Sequence, residues 1–409
     1  MTIKRRSFLT AATVALGGMR SIGGEAPIRA ITRGPRFHWF GYYDKLQFDP
    51  ASRYALGCEG TIEHRLNNEN DILRIGMVDT QDKDRWIELG DTRAWSWHQT
   101  CMLQWLPRSS EEIIWNDRED GQFVSHILNV RTHKKRTLPS AIYAVSPDGT
   151  WGVVADFRRT RYLRPETGYA GLEDPNREVL APENSGIWRV DLKTGRTKLI
   201  LPLSETLRVP LKQGDWTGFH HYFDHLLIAP DGKRIVFLQR WSKPGVRGFS
   251  TRMFTVNPDG SQLHLLDPHG KTSHFIWRDR SHLLAWTWQP GTGDHFYLFE
   301  DNTGNVTMVA PDVLKENGHI SYLPGGRFLL TDTAPDKERK QKPALYDFHT
   351  NQMHVLGALY AAPEYTGVWR CDTTPRFSPD GRKVIVDSPH GGNGRQMYLI
   401  DVSHITKVV

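Results

Sequence analysis

Cysteine is scarce in this chain: Cys58, Cys101 and Cys371 are the only three in 409 residues, they lie far apart, and none belongs to a CxxC pair. That excludes a disulfide framework and a zinc finger and leaves room for one disulfide at most. Long apolar runs are missing too. No stretch approaches the roughly 18 continuous apolar residues of a membrane-spanning helix, so none is expected. Charge of one sign is in small excess, with 52 Lys and Arg against 46 Asp and Glu and a net charge of +6. A solvated basic surface explains that excess, and it argues against a nucleic-acid partner while leaving another anionic partner open. Sustained helical periodicity is the last absence. Beyond residue 36 short β-branched and aromatic runs alternate with Asp-Gly, Pro-Gly and Asn-Pro turns, which marks an all-β chain.

Aromatic residues, by contrast, are plentiful. The 14 tryptophans and 13 tyrosines suit carbohydrate faces, which stack on rings, and they suit a β-rich core equally well. The N-terminal "KRRSFLTAATVALGGM" sets Arg5 and Arg6 before Ser7-Phe8-Leu9 and a weakly apolar Ala/Thr/Gly stretch. It resembles a twin-arginine export signal, which implies the twin-arginine export machinery and a periplasmic or secreted location. Residues 1–30 are therefore expected to be signal and linker, and residues 31–409 the mature domain.

That domain repeats one hairpin. "LQFDPASRYALGC", "YAVSPDGTWGVVAD", "LLIAPDGKRIVFLQ", "SYLPGGRFLLTD" and "PRFSPDGRKVIVDS" share an apolar strand, a Pro leading into a tight turn and a second apolar strand. "MLQWLPRSSEEIIWND" and "FIWRDRSHLLAWTW" are degenerate copies. A third strand such as "GIWRVDL" and usually a fourth such as "TKLILP" follow each copy. Four strands per unit of about 45 to 60 residues is the pattern of a β-propeller blade. The expectation is a single seven-bladed β-propeller of four-stranded antiparallel blades, its ring closed either by "HITKVV" at the C-terminus or by a strand near "IRAITRG". Residues 157–185 are an insertion between the second and third strands of blade 3. A loop that long in a compact domain is functional or disordered, and this one is rich in Arg and Tyr, including Arg161 and Tyr162.

In a propeller the first strands line the central channel, and their opening residues share a rim with the loops joining second to third strands. Five residues before the turn-forming Pro stand His225 in blade 4 and His319 in blade 6; at the Asp279 turn of blade 5 the same position is His274. His98 lies a few residues higher in blade 2. A single such histidine is ordinarily a hydrogen-bonded core residue, but three at one repeat position point to a shared site. The loops on that face add Arg240 and Trp241, His390 and Arg395, and the insertion. A polar bowl edged by Arg and Tyr suits a carboxylated or sulfated polymer, since guanidinium grips planar anions in bidentate fashion.

The hairpins "LIAPDGKRIVFL" and "RFSPDGRKVIVDS" resemble the TolB-type propeller repeat. With histidines on the inner strands, the seven-blade pattern is similar to the propeller polysaccharide lyases of the oligogalacturonate and ulvan lyase families. That resemblance implies β-elimination on a uronic-acid-containing anionic polysaccharide or oligosaccharide: a cation or metal neutralises the carboxylate, a base removes the C5 proton and an acid protonates the leaving oxygen. It implies His225 or His274 as base, Arg240 as carboxylate clamp, and Tyr222 or Tyr162 as acid. His98, His319, Trp241, Arg161, Tyr162, His390 and Arg395 are expected around the substrate. A divalent metal (Mn, Zn or Ca), if bound, would sit on His225, His274 and His319. Two other classes fit the same scaffold. One is a TolB-like propeller that binds glycan or protein without catalysis; the other is a glycoside hydrolase using carboxylates such as Asp44, Asp224 and Asp372.

Overall fold

A computed structural model describes residues 26–212 and 214–407; the twin-arginine stretch lies outside the described residues. Seven four-stranded antiparallel sheets follow one another along the chain and make seven blades. They span residues 37–92, 104–138, 144–202, 220–267, 275–308, 321–355 and, for blade 7, 376–401 with 28–30. The repeated turn explains itself physically. In the Pro-Asp-Gly copies the Asp carboxylate accepts the amide two residues on, as Asp148 does from Thr150, Asp231 from Lys233 and Asp380 from Arg382. The following Gly149, Gly232 and Gly381 have φ near +70°, where a side chain would be strained. Blade 5 lacks the Pro but keeps the carboxylate cap, Asp279 accepting from the amides of Ser281 and His282.

Closure uses the N-terminal segment. Ile28–Ala30 pairs antiparallel with the last strand of blade 7, Ile28 opposite Ile400 and Ala30 opposite Tyr398. Of the two closing segments the sequence offered, this is the one used; the described start of "HITKVV" belongs to a helical turn over Ser403–Thr406. The ring thus begins ahead of residue 31. Most of the tryptophan is core: Trp39, Trp95, Trp97, Trp105 and Trp115 are buried between blades 1 and 2, with Trp39 and Trp97 stacked at 5.5 Å. The three cysteines are free, and Cys58 and Cys101 lie buried with their sulfurs 4.0 Å apart.

The insertion after blade 3's second strand is a built strap. Asp156 caps a helix over Phe157–Leu163. Arg159 is buried, bound within the strap to Asp174 at 2.9 Å and to the carbonyls of Asn176, Val179 and Leu180, and to the carbonyl of His221 in blade 4, so it ties the strap to the ring. A guanidinium deprived of water is costly to bury, and such a full set of acceptors offsets that cost.

Candidate active site

Two backbone irregularities aim side chains into the channel. In blade 1 the inner strand breaks after Trp39, and Gly41 takes φ +110° against Thr100. The amides of Phe40 and Gly41 donate to the Asp387 carboxylate at 3.2 Å, and Thr100 Oγ1 donates to the Phe40 carbonyl at 2.7 Å. This anchorage directs Tyr42 and Tyr43 inward. In blade 4 the ladder slips between Asp224 and Leu227, and His225 occupies φ +50°, a conformation disfavoured for any residue with a side chain. Its amide is held by the Tyr143 hydroxyl at 2.9 Å and Asp224 Oδ1 at 2.8 Å.

The hydrogen bonds fix the tautomer of His225. Tyr43 Oη donates to the Phe275 carbonyl at 2.9 Å, so toward His225 Nε2, 3.2 Å away, it acts as acceptor. The imidazole proton is then on Nε2, and Nδ1 accepts from the Tyr42 hydroxyl at 3.2 Å. Burial first, then His274, Lys45 and Arg240, hold His225 well below the usual histidine range. Tyr42 is raised, by burial first and then by Asp224 and Asp44. The resting pair is neutral, with its shared proton on the phenol.

Tyr42 lines a cavity of about 240 Å³ together with His98, Gln99, Arg164, Arg240, Phe249, His274, Asn317, His319, Arg370 and Arg395. Arg240 and Arg164 share one carboxylate oxygen: Asp224 Oδ2 accepts from Arg164 at 2.9 Å and from Arg240. Both guanidiniums lie over the Phe249 ring. Among the described residues Arg240 Nε has no acceptor, although it is buried. Opposite stand two imidazoles with centroids 4.2 Å apart. His274 Nδ1 bonds Asn317 Oδ1 at 3.0 Å, because the Asn317 amide nitrogen is spent on Ser273. His319 Nδ1 bonds Asp332 at 3.0 Å. In each ring Nε2 is the atom left over. Burial, with His319 next, lowers His274 well below its ordinary value. In His319 burial is the largest single influence and pulls down, but the charge and hydrogen bond of Asp332, with Asp372, raise it on balance.

Four residues expected around the substrate stand elsewhere. Trp241 alternates with Arg240 on its strand, so it faces the opposite side of the sheet and packs on Trp216 and His221. Arg161 is used up on Asn67 and the Pro165 carbonyl, and Tyr162 packs against His220 and Arg177. His390 sits on Tyr398 and Ser388. Tyr222 shares a sheet face with Arg240, but its phenol is fully buried, has no partner among the described residues and does not line the cavity; burial pushes it up to about 12. His225, His274, Arg240, His98, His319 and Arg395 do gather. Arg395 bonds Glu63 and lies over Trp39 and Trp97. The sequence reading missed Tyr42 and Asn317 and did not single out Arg164. "GYYD" gave a local signal for Tyr42, a paired tyrosine just ahead of blade 1's turn.

No family model and no curated protein matches the chain. Solved structures do. Oligogalacturonate lyase from Vibrio parahaemolyticus superposes with a TM-score of 0.64 at 14% identity, over 93% of this chain and 95% of that one. An oligogalacturonate lyase in complex with manganese gives 0.66 at 16% identity, over 94% of each chain. The ring has the fold of these structures, a seven-bladed β-propeller. At these identities the likeness concerns architecture alone. A prolyl endopeptidase aligns over 91% of this chain and 49% of its own, with a TM-score of 0.52 at 11% identity, and so carries a similar ring for different chemistry.

The metal set expected from sequence, His225, His274 and His319, calls for imidazoles that offer a free ring nitrogen. His274 and His319 do: each has Nδ1 engaged by an oxygen acceptor and Nε2 left over, the usual arrangement of a metal-ligating imidazole. His225 does not, because both its ring nitrogens are taken by tyrosines. The three-imidazole set expected from sequence therefore reduces to two.

Proposed function

We propose that the protein is an exported polysaccharide lyase, periplasmic or secreted, that cleaves a uronate-containing anionic glycan by β-elimination. The observation that carries this reading is the neutral Tyr42–His225 pair, in which Tyr42 lines a cavity shared with Arg240 and the His274–His319 pair and His225 stands buried behind it. Arg240, with an unused Nε, binds the uronate carboxylate. The neutral His98, whose Nε2 is also without a partner among the described residues, takes a sugar hydroxyl. His274 and His319 would hold a divalent ion, which when bound supplies positive charge against the carboxylate. The Tyr42 oxygen removes the C5 proton while its own phenolic proton passes to His225 Nδ1. The C5–H electrons form the C4–C5 double bond, and the C4–O bond breaks. Tyr42 then protonates the leaving oxygen and recovers its proton from His225, which burial makes a reluctant cation.

Hydrolysis fits less well. It needs two carboxyl groups free to face the sugar, whereas Asp224 is held by two arginines, Asp44 by Lys45 at 3.0 Å and Asp372 by Arg370 at 2.8 Å. The test is to incubate the mature protein with pectin, ulvan, alginate and glycosaminoglycans, with and without Mn or Ca, and to follow the ultraviolet absorbance of the unsaturated product. Product from one of them supports elimination. Binding of a polymer with no product from any of them favours the non-catalytic, glycan-binding propeller.

A further inference from the structure

A second cluster of ligating groups lies in blade 2, outside the central cavity and independent of the reaction proposed there. Asp117 and Glu119 belong to the strand Glu112–Glu119 and His126 to its neighbour Gln122–Asn129. The register sets Trp115 opposite His126, and the period of two puts Trp115, Asp117 and Glu119 on the same face as that imidazole. His126 Nε2 is 3.3 Å from Asp117 Oδ2 and 3.2 Å from Glu119 Oε1. Asp117 and His126 are buried, and Glu119 is half-exposed.

The surroundings orient these groups. His126 Nδ1 bonds Thr137 Oγ1 at 3.1 Å, which leaves Nε2 to face the two carboxylates. Asp117 Oδ1 accepts the amides of Arg93 and Arg118 at 2.7 Å each, so Oδ2 is the oxygen turned to the imidazole. With Thr137 Oγ1 accepting from Nδ1, Nε2 turns a lone pair toward the two carboxylates, as a metal-ligating imidazole does. A cation among the three atoms would answer both carboxylates and the imidazole nitrogen at once. Ligand bonds of about 2.0 to 2.1 Å in a tetrahedron place neighbouring donor atoms about 3.3 Å apart, close to the spacings of both carboxylates from Nε2. Imidazole with two carboxylates and one open position is a borderline N/O set that suits zinc better than calcium or magnesium.

We propose that Asp117, Glu119 and His126 form a zinc site with a fourth position open to solvent. Its place gives it a use. Arg118, between the two acidic ligands, donates to the carbonyls of Glu69 at 2.7 Å and Ala170 at 3.3 Å, so the hairpin tip grips the strap that carries Arg164 to the central cavity. A metal bridging both strands fixes that tip.

The mature protein, stripped with chelator and exchanged into metal-free buffer, is titrated with zinc by calorimetry and its bound metal counted, with calcium and magnesium as comparators. One zinc per chain is expected in the His274→Ala/His319→Ala double variant, which lacks the central imidazoles. Added to that double variant, Glu119→Gln and His126→Gln are each expected to lower affinity at least tenfold and to abolish the rise in Tm that zinc gives it. Glu119 is half-exposed, so its variant keeps the fold, as circular dichroism will report, even where His126→Gln does not. Stoichiometric zinc unaffected by Glu119→Gln, or zinc lost with the central imidazoles alone, overturns the assignment. No binding at millimolar zinc overturns it too.

Discussion

Tyr42 and His225 are 183 residues apart in sequence, come from blades 1 and 4, and meet across the channel with phenol oxygen and Nδ1 3.2 Å apart. The contact exists because each backbone leaves its regular strand at that point, at Gly41 in one blade and at the Asp224–Leu227 slip in the other.

If this pair moves the proton, Tyr42→Phe removes the transferring oxygen and leaves the ring. Product formation should fall by roughly 10²- to 10⁴-fold, the range for loss of a general acid–base group, with KM and Tm changing little. His225→Phe should lower kcat comparably. Steady-state kinetics on a polymer that yields product, beside thermal melts, checks both; a Tyr42→Phe enzyme with undiminished kcat removes Tyr42 from the mechanism.

Asp224 binds Arg164 and Arg240 through one oxygen, and it is fully buried. Asp224→Ala leaves two guanidiniums side by side without their carboxylate. Breaking a buried pair in this way costs about 3–5 kcal/mol, which should show as a lower denaturant midpoint. The Arg240→Lys variant, which keeps the charge but not the fork, should raise KM more than it lowers stability.

Acid should destabilise the fold through its neutral histidines. His221 is pushed down to about 3, by burial first and then by Arg159 and Arg252. In the unfolded chain the same ring takes a proton below about pH 6.5, while the folded one refuses it down to its lowered value. Stability from this group is therefore complete above that pH and falls by about 1.4 kcal/mol per pH unit as acidity rises from there toward pH 3. Denaturation curves between pH 7 and 5 should show the loss, and His221→Gln should flatten the slope. An unchanged slope in that variant contradicts the assignment.

Ring closure can be tested by truncation. A chain beginning at residue 31 lacks the strand that pairs with residues 398–400. It should lose about 2–4 kcal/mol from a few ladder hydrogen bonds and the burial of Ile28. A chain beginning at residue 25 should melt as the longer one does. Equal stability of the two would mean that the ring holds without this strand.

The scaffold was legible because its information is local. Each Pro-Asp-Gly turn carries its own carboxylate cap and its own positive-φ glycine, and each apolar run alternates or continues as a half-buried or buried strand does, so repetition alone yielded blade number and strand count. His225, His274 and His319 were found the same way, since equivalent repeat positions must converge on one channel. Trp241, Arg161, Tyr162 and His390 were misplaced because proximity in sequence to Arg240 or to the strap says nothing of which face a strand presents or which carbonyl captures a guanidinium. Tyr42 was missed because the break after Trp39 depends on Asp387 and Thr100, far away in the chain.

By itself, then, the sequence determined the toroid, because turns and strand periodicity act between near neighbours. Only the closed tertiary structure decided which imidazole nitrogen is free and which tyrosine faces the cavity. Those choices depend on hydrogen bonds between blades that meet only once the ring has formed.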